Sequence, residues 1–200
     1  MENKNITRRF GGYIYDTVHH LIVWRDTLWS ALSDRTIKQW NYNGNCLKTR
    51  KGHTGLVLLL FVWRDLLHCV SDDKTILVWN FDGECLRKLK GHTSYVDCLT
   101  SWRDFLISGS DDKTVRVWNS EGECVAQWTT GSEVRTMIEW NGLLCTGQGD
   151  SSIKLWNEFN KCIQTLNGHT EYVRNFVVHE DYLFSGTLLS FTSSPDCLTF

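Results

Sequence analysis

Apolar and polar residues alternate with a period of two along most of this chain. In residues 113–118 the run Lys-Thr-Val-Arg-Val-Trp is alternating and rich in β-formers, the pattern of a half-buried strand. Asn43-Gly44, Asp82-Gly83 and Glu121-Gly122 follow such runs at matching places. These pairs supply the positive φ that tight hairpins require. The segment around residues 91–130 predicts four strands, roughly 95–101, 105–109, 114–119 and 124–129, with turns at Arg103-Asp104, from Ser110 to Lys113 and at Glu121-Gly122.

The same segment recurs. Aligned on Trp40, Trp79, Trp118 and Trp156, the copies are spaced 39, 39 and 38 residues apart, and an asparagine follows each tryptophan. Six residues before each stands an aspartate: Asp34, Asp73, Asp112 and Asp150. Ten before each stands a small residue, Ser30, Cys69, Ser108 or Thr146. Sixteen before each stands a second tryptophan, Trp24, Trp63, Trp102 or Trp140. Self-similarity at this period marks a repeat architecture. One antiparallel sheet of about 40 residues cannot bury both of its faces, so copies must stack, and radial stacking makes a propeller.

The spacing of Gly91-His92, Ser108, Ser110-Asp111-Asp112-Lys113-Thr114 and Val117-Trp118-Asn119 resembles the WD-repeat unit, as does the second copy with Gly52-His53, Ser71 to Thr75 and Val78-Trp79-Asn80. The usual Trp-Asp is Trp-Asn in every copy. The resemblance covers nearly all of the chain up to Thr187. It implies an all-β fold, a partial β-propeller of four complete four-stranded antiparallel blades plus an incomplete fifth. The blades span about 13–51, 52–90, 91–130, 131–167 and, in part, 168–187. Residues 188–200 lose the register abruptly, with Pro195 where a central strand would need its N–H. They read as a non-homologous tail. Ile6–Phe10 falls where the outer strand of a preceding blade would lie. Of an open curved array and a strained five-blade ring, the open array is the favoured expectation.

In the resembled family the His, Ser/Thr, Asp and Trp of a repeat form a hydrogen-bonded tetrad. Only the third copy is complete here: His92, Ser108, Asp112 and Trp118. The second has His53, Asp73 and Trp79 with Cys69 in the hydroxyl position. The first retains Ser30, Asp34 and Trp40 without Gly-His. The fourth retains Thr146, Asp150 and Trp156, and the fifth His169 and Ser185. The incomplete copies are expected to be less stable, by about 1 kcal/mol per lost bond.

A formal charge of -2 gives no bulk electrostatic case for nucleic acid or an anionic membrane. The first residues lack an apolar signal region, and the longest apolar run, Leu56 to Trp63, is far short of the roughly 20 residues of a spanning helix. A cytoplasmic or nuclear protein is the resulting expectation. Four of the eight cysteines, Cys46, Cys85, Cys124 and Cys162, recur once per repeat, and no Cys-x-x-Cys pair occurs. They read as small buried hydrophobes, not zinc ligands or disulfides.

Enzymatic signatures are missing. The glycines sit at repeat turns, no nucleophile elbow is present, and Asp72-Asp73 and Asp111-Asp112 read as turn residues whose first member faces solvent. His19-His20 would point to opposite strand faces and so would not chelate one metal. No cofactor, metal or small-molecule substrate is expected. The resemblance places function on a propeller face, presenting Ser33, Leu56, Leu58, Asp72, Tyr95, Asp97, Asp111, Glu133, Arg135, Tyr172 and Arg174. Blades two and three would present acid, blades four and five base, which suits a peptide of both signs. Tyr95 and Tyr172 are the expected anchors. The opposite face, with Arg25-Asp26, Arg64-Asp65 and Arg103-Asp104, is expected to carry local ion pairs of small worth. The reading is a non-enzymatic scaffold or adaptor for proteins or peptides. Its repeats resemble the substrate-reading ends of ubiquitin-ligase receptors and regulatory propellers attached to kinases. The rival is a truncated, non-functional product whose working form needs more blades.

Overall fold

The computed structural model describes residues 16–187 and 197–199. The stretch 6–10 singled out above, and Pro195, lie outside the described residues. Every described element is a strand. Blade one is β1 (Val18–Trp24), β2 (Thr27–Leu32), β3 (Thr36–Trp40) and β4 (Cys46–Lys51). Blade two is β5 (Val57–Trp63), β6 (Leu66–Ser71), β7 (Ile76–Trp79) and β8 (Cys85–Leu89). Blade three is β9 (Val96–Trp102), β10 (Phe105–Ser110), β11 (Thr114–Trp118) and β12 (Cys124–Thr129). Blade four is β13 (Val134–Trp140), β14 (Leu143–Gln148), β15 (Ile153–Trp156) and β16 (Cys162–Leu166). Blade five has β17 (Val173–His179), β18 (Tyr182–Thr187) and the short β19 (Cys197–Thr199), which pairs antiparallel to β18. Each of the first four is an antiparallel meander in sequence order, so the fold is a partial β-propeller with an incomplete fifth blade.

The turn chemistry follows the sequence closely. Arg25 and Asp26 both adopt positive φ (46° and 56°), as do Arg64-Asp65, Arg103-Asp104 and Asn141-Gly142. Two successive left-handed residues match the twist of the flanking strands, the geometry of a type I′ hairpin. The β3–β4 turns differ: Gly44 (φ 80°), Gly83 (105°) and Gly122 (85°) are left-handed, whereas Asn43, Asp82 and Glu121 before them are not. Asn160 (φ 58°) fills that place in blade four. Each of these turns ends in a bulge that sets the signature tryptophan opposite a cysteine, Trp40 against Cys46 and so on through Trp156 against Cys162.

Those cysteines are not core residues. Cys46, Cys85 and Cys124 are exposed and Cys162 is half-exposed. Recurrence fixed a common slot, but the slot is the start of the outermost strand, which has no sheet beyond it. Among the described residues the buried thiols are Cys69, Cys98 and Cys145, on the first or second strands of their blades.

Apolar side chains gather in four clusters, one at each junction between successive blades. Trp29, Ala31 and Ile37 of blade one meet Leu60, Leu67 and Leu77 of blade two. Val70, Ile76 and Leu89 meet Leu99, Leu106 and Trp118. Ile107, Val115 and Val117 meet Val134, Met137 and Leu144. Cys145, Ile153 and Leu155 meet Val173 and Leu183. Burial between sheets is therefore the dominant stabilising term. Among the described residues nothing covers the outer flanks of blades one and five. Leu21, in the register position of the wholly buried Leu60 and Leu99, is 52% exposed, and Val177 on β17 is 59% exposed.

Candidate interaction face

The β2–β3 turn and the β4–β5 connection of adjoining copies share one end of the array, and there an aspartate organises each turn. Asp112 Oδ1 accepts from the amide of Thr114 (2.9 Å) and from its hydroxyl (2.6 Å), and Oδ2 accepts from the amide of Thr93 (2.9 Å). Oδ2 also lies 2.8 Å from His92 Nδ1. A carboxylate accepts only, so Nδ1 carries a proton, and in the neutral imidazole Nε2 is then the acceptor. Ser108 Oγ, 2.7 Å from Nε2, therefore donates to His92, and it accepts from Trp118 Nε1 at 2.8 Å. Burial would raise the Asp112 carboxyl, but the bonds from His92, Thr114 and Thr93 outweigh it and hold the group well below the ordinary value.

The other blades keep parts of this relay. In blade two Cys69 Sγ takes the serine's position, 3.3 Å from Trp79 Nε1 and 3.1 Å from His53 Nε2, while His53 Nδ1 meets Asp73 at 2.9 Å. Burial opposes ionisation of Asp73, yet the bonds from Thr75, Thr54 and His53 bring it down to about 2. Trp40 donates to Ser30 (2.9 Å), and Asp34 accepts from Thr36 and pairs with Lys38 at 3.2 Å. In blade four Trp156 donates to Thr146 (2.9 Å), Asp150 accepts from Ser152, and Gln148 supplies a second donor to Thr146 at 3.0 Å. Gln148 thus gives the hydroxyl a second partner of opposite sense to the histidine, donating where His92 accepts, while the Thr146 hydroxyl donates to the Lys154 carbonyl at 3.4 Å. His169 Nε2 is 2.7 Å from Ser185 Oγ in blade five.

On the same end, the first aspartate of a turn is not free to face solvent, as the sequence reading had it. Asp111 pairs with Arg135, which also reaches Asp97 at 3.2 Å. All three side chains are about four-fifths buried. The reason is register: Asp97 and Arg135 hold the same position, the second, on the neighbouring inner strands β9 and β13, and the turn of blade three brings Asp111 over them. Burial, then the neighbouring Asp111 carboxylate, push Asp97 upward against the pull of Arg135 and Arg174. Acid and base here compensate one another inside the protein instead of standing as two separate fields. The Arg135 guanidinium is also 5.6 Å from the Tyr172 ring centroid, with Arg174 6.0 Å away on that ring. Around this cluster Tyr95 and Tyr172 are 48% and 46% exposed. Leu56 and Arg174 are exposed, whereas Ser33, Leu58 and Asp72 are half-buried. Glu133 pairs with Lys113 at 3.4 Å, and Ser33 with His19 at 2.9 Å.

The opposite end carries ion pairs that run between blades: Arg25 with Asp65, Arg64 with Asp104 at 3.9 Å, and Arg103 with Glu158 at 2.6 Å. Among the described residues, no group of three or more His, Cys, Asp or Glu side chains is placed to hold a metal, and no helix is long and apolar enough to cross a membrane.

Residues 83–119 match the family described as "WD domain, G-beta repeat". The matched stretch runs from the turn before β8 through β11, and the other sheets repeat its strand order and its tryptophan register. This chain is a WD-repeat, β-propeller-like protein. No curated protein matches it. WD repeats generally mediate protein–protein interactions, binding other proteins or peptides, and propellers of this family are typically non-enzymatic scaffolds.

Proposed function

We propose that this WD-repeat chain is a non-enzymatic adaptor that grips a protein or peptide on the face carrying Tyr95, Tyr172 and Arg174. One observation carries the reading: two exposed tyrosines flank a largely buried Asp97–Arg135–Asp111 cluster. Rigid aromatic area around a fixed polar centre is the composition of an interaction hot spot. The role we assign is substrate reading of the ubiquitin-ligase-receptor type, supported by the likeness of the repeats. A peptide library panned against the full chain tests it. Peptides enriched by the wild type should be lost with Tyr95→Ala, Tyr172→Ala and Arg174→Glu; equal recovery by all four proteins refutes the face. Arg135→Glu is unsuitable, because it would set three carboxylates together and report on folding.

The bare Leu21 and Val177 flanks favour a second reading, in which these blades act within a longer array. Appended WD blades should then raise Tm; an unchanged Tm would count against that reading.

A further inference from the structure

The junctions between blades are built alike, yet they are not filled alike. At the end of the array carrying the type I′ hairpins, the cleft between blades one and two is closed by Phe81, two residues beyond the signature Trp79. Its ring packs edge-on against Trp24 (5.2 Å) and Trp29 (6.1 Å), the Arg25 guanidinium lies 5.1 Å from its centroid, and Arg50 donates to its carbonyl at 2.7 Å. The position equivalent to Phe81 is Ser120 in blade three and Glu158 in blade four. Where the plug is missing a cavity opens: about 220 Å³ between blades two and three, and about 330 Å³ between blades three and four.

The larger cleft keeps one tryptophan and one arginine of that cradle, with Ile107 where blade one has Trp29. Trp102 and Arg103 occupy the places of Trp24 and Arg25, and Phe105, Ile107, Val117 and Val125 supply apolar walls. Arg103 lies 5.4 Å from the centre of the Trp102 ring and reaches Glu158 across the mouth. Both members of that pair are about half exposed, so parting them costs little. We propose that the cleft between blades three and four is a binding site for an aromatic side chain of a partner polypeptide, seated as Phe81 is seated between blades one and two. The ring would lie against Trp102 and Phe105 with the Arg103 guanidinium over it, an arrangement favoured by area burial and by cation–π attraction. At about 330 Å³ the cavity stands at the small end of the range for ligand sites, with room for one aromatic ring. The site lies on the end opposite Tyr95 and Tyr172, so it stands apart from the proposed peptide face.

The test uses the full chain and N-acetylphenylalaninamide, with N-acetylleucinamide as comparison, followed by saturation-transfer NMR and titration. The wild type should bind the phenylalanine amide saturably in the millimolar range expected of a fragment this small, at least threefold tighter than the leucine amide. Glu158→Phe rebuilds the internal plug and should weaken binding at least tenfold while leaving Tm at or above wild type. Val125→Trp, at a position 51% exposed, covers the mouth from outside and should weaken binding similarly. It decides the matter if Glu158→Phe does not fold. No saturable binding to the wild type, no preference for the aromatic amide, or unchanged affinity in the folded variants would overturn the proposal.

Discussion

Ser108→Ala isolates what the hydrogen-bond relay contributes. Ser108 is completely buried, and its hydroxyl serves two partners, accepting from Trp118 and donating to His92. Removing it leaves the indole N–H and the imidazole Nε2 without a partner in places closed to water. An orphaned buried group costs about 1–3 kcal/mol, so the variant should lose about 2–6 kcal/mol. Ser30→Ala in blade one removes the bond from Trp40, so about 1–3 kcal/mol is expected there. Urea unfolding, followed by tryptophan fluorescence, measures both. A double-mutant cycle with Trp118→Phe sharpens the test, because the phenylalanine removes the N–H that Ser108→Ala orphans. The two costs should fall short of additivity by about 0.5–3 kcal/mol. Equal losses for Ser108→Ala and Ser30→Ala, or strict additivity in the cycle, would refute the relay as an energetic unit.

Asp73 is held at about 2 against an ordinary 3.8. A depressed carboxyl stabilises the fold fully above its unfolded value, and that contribution disappears as pH falls through the folded one. Stability should therefore drop between about pH 4 and 2, and Asp73→Asn should flatten the slope. Burial lowers His68 from 6.5 to about 4, so the unfolded chain takes up a proton first as the solution is acidified. Stability should fall from pH 6.5 toward 4, and His68→Phe should make that part of the profile shallower, leaving the share of His53 and His20, which burial also lowers. A Cβ on Gly109 would stand 2.5 Å from Val134 and 2.7 Å from Cys98, so Gly109→Ala should destabilise by about 1–3 kcal/mol through overpacking, read as a lower urea midpoint. Iodoacetamide should modify Cys46, Cys85 and Cys124 in the native protein. Cys69, Cys98 and Cys145 should react only in denaturant, as mass spectrometry would show.

The strand order and hairpin ends were legible because alternation and the Trp-to-Trp spacing are properties of each local segment. The third copy's strands fall within a residue of expectation at each end. Features depending on which side of a sheet a residue takes, or on what lies across a junction, were not legible. Cys46 and its counterparts recur as regularly as Trp40 does, but periodicity does not tell an outer strand from an inner one. The coupling of Asp111 to Arg135 needs two blades in register, and the second bond to the Thr146 hydroxyl comes from Gln148, which is no member of the tetrad pattern. Phe81 looks like an ordinary turn residue until Trp24, some 57 positions earlier in the chain, is seen beside it.

The recognised repeat, residues 83–119, begins beside the outermost strand of one sheet and ends within the next. The unit written in the sequence therefore straddles two units of structure. Excising one such segment would take a margin from one sheet and three strands from another, leaving halves that rejoin as a whole blade. Covalent connection thus does for the array what overlapping courses do for brickwork: no sheet can come away without loosening the one laid before it.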